Sequence, residues 1–279
     1  MITDEIMFKL ILMLSLATFI GILVLIRYFL AKKILLKDVI VASRLMLGSG
    51  EVQEDSVGIT DSDNGLLSVL ADGLGKKEAG KISSEYAVQE ISYMFIHEGS
   101  REMQNYFFKK AYNKANHEII RRVERDKGGA SVLSTIIVDG YLHYALIGDA
   151  MLCIYRNNEL FRISKGHSID VVAKEQYHEG KIQKDKAMVV LQDKKLLYYL
   201  GHSSYGDIEL NTEPIKLYKG DIIVLMSKGI YQGIKWIKLE DILGQKKKKV
   251  QELCDEIVHN VDTQSNGSII LMKYTVKNK

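Results

Sequence analysis

SVLSTIIVDGYLHYALIGDAMLCIYRNNELFRI, residues 131–163, is dense in β-branched and aromatic side chains and carries Asp139-Gly140 and Asn157-Asn158 where two-residue hairpin turns are expected. It predicts a four-strand antiparallel meander. Upstream lie three shorter strand patterns, Val39 to Ser43, Ser56 to Thr60 and Leu66 to Ala71. Between these and the meander, Ala87, Ile91, Met94 and Phe95 make one helical stripe, and Met103, Phe107, Ala111, Ala115, Ile119 and Val123 make another. Downstream, Ser168 to Glu179 reads as a helix and Lys184 to Lys195 as a mobile flap or loop with few apolar residues. Leu196 to Leu200, Ile215 to Leu217 and Asp221 to Met226 read as strands, the last with the apolar run of a buried one. A helix over Lys249 to Val261 and a closing strand, Ser268 to Tyr274, complete an α+β pattern with helices packed outside antiparallel sheets.

Composition narrows the function classes. The 279 residues are 47% hydrophobic and 26% charged with one proline, which excludes disordered and collagen-like chains and proline-rich linkers. Basic and acidic residues number 38 and 35, a balance that argues against a nucleic-acid partner. Cys153 and Cys254 form no disulfide framework and no C-x-x-C pair, and read as core residues in a reducing compartment. Leu10 to Ile26 is 17 residues without a charge, and its continuation to Ala31, interrupted only by Arg27, is 22. As a helix that run spans ~33 Å, enough for a bilayer core. A cleaved signal peptide is disfavoured by Asp4 and Glu5 before the run and Leu30-Ala31-Lys32 after it. Arg27, Lys32, Lys33 and Lys37 follow the run while only Lys9 precedes it, which places the remainder in the cytoplasm. The expected organisation is a transmembrane anchor with a basic flank, residues 1–36, and one domain, residues 37–279, single-pass in the cell membrane.

Four strings occur in a recognisable order: Glu54-Asp55 before a strand, ADGLG at Ala71 to Gly75, IGDA at Ile147 to Ala150, and MSKGI at Met226 to Ile230. This order resembles the metal-dependent protein phosphatases, the type 2C or PPM family, from about Val39 to Tyr274. The resemblance implies a sandwich of two antiparallel β-sheets flanked by helices, and hydrolysis of phosphoserine and phosphothreonine by water held between two Mn or Mg ions. Hard divalent ions take oxygen ligands, and a pair of them acidifies a bridging water. Residue by residue, it implies Asp72 as the carboxylate bridging both metals, Gly73 as a carbonyl ligand, Glu54 and Asp55 as the early acidic pair, and Asp149 as a ligand of a third metal. Asp72 is the residue on which turnover depends if the domain is active.

Three matching positions depart from the family pattern. Ser-Asp-Gly is Ser227-Lys228-Gly229 here, the closing Asp-Asn is Ser265-Asn266, and an Arg expected four residues before Glu54 is Gly50. An ammonium about 4 Å from a divalent ion is repelled by roughly 8 kcal/mol at an effective dielectric near 20. Deprotonating the lysine instead costs ~4 to 7 kcal/mol. The expected function is therefore a pseudophosphatase, a binding or scaffolding module with no or partial Mn/Mg and a protein partner in a bacterial membrane assembly. The alternative is an active metal-dependent serine/threonine phosphatase with an altered two-metal site. Other readings stay open: Lys228 turned outward with Asp262 as substitute ligand, Lys228 as the cation of a phosphorylated-ligand site, and Glu54, Asp55 and Asp149 as loop or turn residues without a metal. Asp221 reads as turn chemistry and His167 as structural, and no histidine pair has zinc spacing. Lys246 to Lys249 reads as a solvated approach to the last helix, with anionic lipid as the other reading, and Trp236 beside Ile234 and Ile237 reads as packing.

Overall fold

The structure is a computed structural model that describes residues 12–13, 15–23, 38–75, 78–123, 127–185, 195–203 and 205–276. It divides into two units, Met1–Asp38 and Val39–Lys279. In the first, residues 12–13 and 15–23 are helical with exposed side chains. The rest of the expected membrane span and its basic flank lies outside the described residues, among which no helix is long and apolar enough to cross a membrane. Most of the flap expected over Lys184 to Lys195 also lies outside them.

The second unit contains, in chain order, β1 (Val39–Met46), β2 (Ser56–Ser62), β3 (Gly65–Gly75), α1 (Ala79–Glu98), α2 (Gln104–Arg122), β4 (Gly128–Val138), β5 (Tyr141–Ile147), β6 (Met151–Arg156), β7 (Glu159–Arg162) and α3 (Ile169–His178). Then follow β8 (Glu209–Leu210), β9 (Ile215–Lys216), β10 (Ile222–Met226), α4 (Lys228–Gly233), α5 (Trp236–Leu243), α6 (Val250–His259) and β11 (Gly267–Tyr274). One sheet runs β1-β11-β10-β6-β7; the other runs β2-β3-β4-β5-β8, with β9 also beside β5. All pairings are antiparallel.

The period of 2 along each strand assigns its side chains to layers. Leu67, Val69 and Ala71 of β3 pack with Ile91, Phe95, Phe108 and Tyr112 of the two long helices. Their neighbour Leu70, with Leu133 and Leu146, faces Leu152, Ile223, Leu225 and Ile270 of the opposite sheet. On the far side, Cys153, Val224 and Leu271 meet Leu239, Ile242, Leu253 and Cys254 of α5 and α6. Helix, sheet, sheet and helix thus form four layers around a central sheet-to-sheet core. Central strands such as β10 are apolar on both faces because both faces are covered, so IIVLM reads as a continuous run. Burial of this kind is worth roughly 1.5–3 kcal/mol for each large aliphatic or aromatic side chain.

The expected four-strand meander is corrected to two hairpins in different sheets. β4 pairs β5 and β6 pairs β7, but β6 lies beside β10 rather than β5. The turns at Asp139-Gly140 (φ 51° and 80°) and Asn157-Asn158 (φ 53° and 67°) have the left-handed conformation of tight hairpin loops. Gly148-Asp149-Ala150 does something else. Gly148 has φ +111°, and the Asp149 and Ala150 N–H groups both donate to Ser131 Oγ, at 3.0 and 3.1 Å, so the chain leaves one sheet and enters the other. Leu196 to Leu200, expected as a strand, makes only isolated bridges, Ser168 to Leu196 and Ala130 to Leu200. The short helices α4 and α5 were not anticipated from periodicity.

Candidate functional site

The central core ends in polar side chains at one end of the sandwich. Asp72 continues the inward row Leu66, Ser68, Leu70 of β3, and Ser227 follows Ile223 and Leu225 of β10. Ser268 precedes Ile270 and Met272 on β11, and Asp55, 3% exposed, lies against Ser227 and Ser268. The loop before β2 is pinned over this end by Asn266, whose Oδ1 accepts the Gly48 N–H at 3.0 Å and whose Nδ2 donates to Val52 O at 2.8 Å. Gln53 Oε1 accepts the Asp55 N–H at 2.9 Å, and Ser84 Oγ donates to Glu54 O at 2.5 Å. A cavity of about 470 Å³ results, lined by Gly50, Glu54, Asp55, Asp72, Lys228 and Ser265 among others.

Glycine is required at Gly73 and Gly229. A Cβ on Gly73 would lie 2.3 Å from Gly80 O and 2.4 Å from Glu54 O, and one on Gly229 would lie 1.9 Å from Asn266 O. Gly50 differs, because a side chain there would enter open space. Neither Ser265, which is exposed, nor Gly50 brings a charge to the cavity. Asp262 is exposed and does not line the cavity, so it does not replace the missing carboxylate. Asp221 is also elsewhere: it accepts the Tyr218 N–H at 2.7 Å and a two-armed contact from Arg156 at 3.0 and 2.6 Å.

The carboxylates are held in an unfavourable charge state. Burial, then the Asp55 and Asp149 charges, push Asp72 well above the ordinary carboxylate range, against the opposing Lys228 backbone amide and ammonium. Atoms enclose Asp72 on most sides, although part of its surface opens on the cavity. Burial also raises Asp55, whose two oxygens have no hydrogen-bond partner, although the Ser268 and Ser227 hydroxyls are near enough to oppose the shift. Glu54 is raised by burial and by Asp55. Such a cluster is relieved either by protons or by a cation.

Lys228 opens α4, and its Nζ donates to Asp149 Oδ2 at 3.1 Å, with Asp149 only 10% exposed. Asp149 reaches this point because β3 and β4 pair Asp72 with Ser131, and Ser131 Oγ holds the Asp149 N–H. Lys228 therefore stands between the main cavity and a second one of about 120 Å³ that contains Asp149, Arg162 and Asp170. His167 is structural as expected: its Nδ1 accepts the Gly148 N–H at 3.2 Å. Sequence reasoning missed Ser131, Ser268 and Gln53, which arrange the acids without resembling ligands, and gave Ser227 a place in a motif but no role.

A two-ion centre does not fit these side chains. The Asp149 side is neutralised by an ammonium, positions 228 and 265 carry no carboxylate, and no group of three His, Cys, Asp or Glu among the described residues is arranged to hold a metal ion. Of the other acids, Asp55 has two oxygens without a hydrogen-bond partner, and Glu54, Asp55 and Asp72 all have raised affinities for protons.

A family model described as protein phosphatase 2C matches residues 45–269. The chain belongs to that family. A serine/threonine phosphatase of Listeria welshimeri is 24% identical over 237 residues, 81% of this chain and 92% of the relative. Among solved structures, the Streptococcus agalactiae serine/threonine phosphatase superposes with a TM-score of 0.73 at 20% identity, covering 85% of this chain and 100% of that one. The catalytic domain of the phosphatase PstP, solved with 2 manganese ions, gives 0.67 at 19% identity over 85% and 99% of the chains. The expected α+β sandwich of the PPM type is the fold observed.

Proposed function

We propose that this chain is a membrane-anchored, cytoplasm-facing pseudophosphatase: a PPM domain that binds or scaffolds a protein partner in a bacterial membrane assembly and does not hydrolyse phosphoprotein. The observation that carries the reading is the Lys228 to Asp149 ion pair, which puts a fixed ammonium into a group of carboxylates where a divalent charge belongs in an active relative. A tethered cation pairs permanently with Asp149, but it cannot polarise and deprotonate a water as a metal pair does. Gly50 adds to this, since no guanidinium lines the main cavity among the described residues to hold a phosphoryl group. The hydrophobic run at residues 10–31 with its basic flank supports the anchor and its orientation.

The unpartnered Asp55 oxygens favour a second reading, in which the Glu54, Asp55 and Asp72 half still takes Mn or Mg and sustains an altered phosphatase activity. One experiment separates the two. Initial rates on an aryl phosphate are measured with Mn for the native chain and for Asp72→Ala, alongside Mn titration by calorimetry. The proposal expects the native rate to equal that of Asp72→Ala. Brisk native turnover that disappears in Asp72→Ala would replace it with the enzyme reading.

A further inference from the structure

The outer side of α5 leaves two large apolar side chains uncovered. In α5, Leu239, Ile242 and Leu243 face the core, while Trp236 is 41% and Ile237 63% exposed. The packing role expected for Trp236 is thus incomplete; only its neighbour Ile234 is buried. Lysines flank the two apolar side chains in sequence, and Asp241, one turn on from Ile237, shares its side of the helix. Residues 235–249 read KWIKLEDILGQKKKK, with six lysines against Glu240 and Asp241. Glu240 is occupied internally, accepting the Leu160 N–H at 2.9 Å. Lys248 reaches Glu256 at 2.7 Å, and Lys238 also acts on Glu256, which ties the lysine run after α5 to the exposed flank of α5 itself. Lys235, Lys238, Lys246, Lys247 and Lys249 remain exposed, with Asp241 as the opposing charge on the same helix.

We infer that this face docks on an anionic lipid surface. Indole and an aliphatic neighbour suit the boundary between headgroups and acyl chains, while the exposed lysines of the same segment reach out to lipid phosphates. A nucleic acid would match the charge but would leave Ile237 in water, and the acidic residues of the whole chain nearly balance its basic ones. The inference does not rest on the pseudophosphatase reading or on the anchor, because it concerns residues of the second unit alone.

Trp236 is the chain's single tryptophan, so its fluorescence reports this face and nothing else. The full chain is reconstituted in nanodiscs of phosphatidylcholine, with and without phosphatidylglycerol, and with acyl-brominated lipid as quencher. Expected are a shift of emission to shorter wavelength and strong quenching only in the anionic discs. Both should be lost in about 1 M salt, which shortens the screening length to a few ångströms. The exposed triple variant Lys246→Glu, Lys247→Glu, Lys249→Glu should weaken the anionic effect by roughly a hundredfold in partitioning, with cooperative unfolding unchanged. Equal emission in both disc types, or quenching that survives the triple variant, overturns the inference. So does a shift with duplex DNA and none with anionic lipid.

Discussion

Asp72 carries a penalty that the rest of the fold sustains. Its affinity for a proton is higher in the folded protein than in the unfolded chain, so the ionised form subtracts stability at neutral pH. That subtraction is complete above the folded value and vanishes as pH falls below the ordinary carboxylate range. Asp72→Asn should therefore stabilise the protein by about 1 kcal/mol near neutrality, with the gain shrinking towards pH ~4, as judged by urea unfolding in chelator. Lys228 acts in the opposite sense. Lys228→Asp removes the only ion-pair partner recorded for Asp149 among the described residues and adds another carboxylate to the group. Thermal unfolding without metal should show a loss of about 1–3 kcal/mol. Added Mn should raise the Tm of Lys228→Asp with Ser265→Asp far more than that of the native chain; equal Mn shifts would deny Lys228 its blocking role.

At the scale of elements, the link Gly148-Asp149-Ala150 decides both topology and site. A Cβ on Gly148 would lie 2.1 Å from Ser131 Oγ, and its φ of +111° excludes ordinary side chains. Gly148→Ala should cost about 2–4 kcal/mol in denaturant unfolding. Ser131→Ala keeps the backbone path but leaves the Asp149 and Ala150 N–H groups without that acceptor, at a smaller cost of about 1–2 kcal/mol. If Ser131→Ala proved the more damaging of the two, strain at Gly148 would not be what holds the crossing.

The whole molecule poses two separable questions, whether residues 37–279 stand alone and where they face. The three apolar layers of the second unit lie within Val39–Lys279, so a fragment from Lys37 should unfold in one cooperative thermal transition. Aggregation without a transition across several buffers would contradict that. Orientation is tested by fusing alkaline phosphatase after Lys279 of the full chain. Low activity is expected for a cytoplasmic C-terminus, and high activity would reverse the assignment.

The sequence by itself determined most of the strands, the two long helices, the hairpin turns at Asp139-Gly140 and Asn157-Asn158, and the family order of motifs. Those signals are local: a period of 2 or 3.6, a left-handed turn residue, a short acidic string. Which strand lies beside which was not local. β5 and β6 each bury apolar side chains on both faces, so their pattern suits neighbours in one sheet as well as members of facing sheets, and only the packed sandwich separates them. The same holds at the site. Lys228 and Asp149 are 79 residues apart and meet only after the chain has crossed between sheets, and Ser131, Ser227 and Ser268 acquire their roles from register rather than residue type. An ion pair and a buried hydroxyl depend on distances of a few ångströms, which only the tertiary structure supplies.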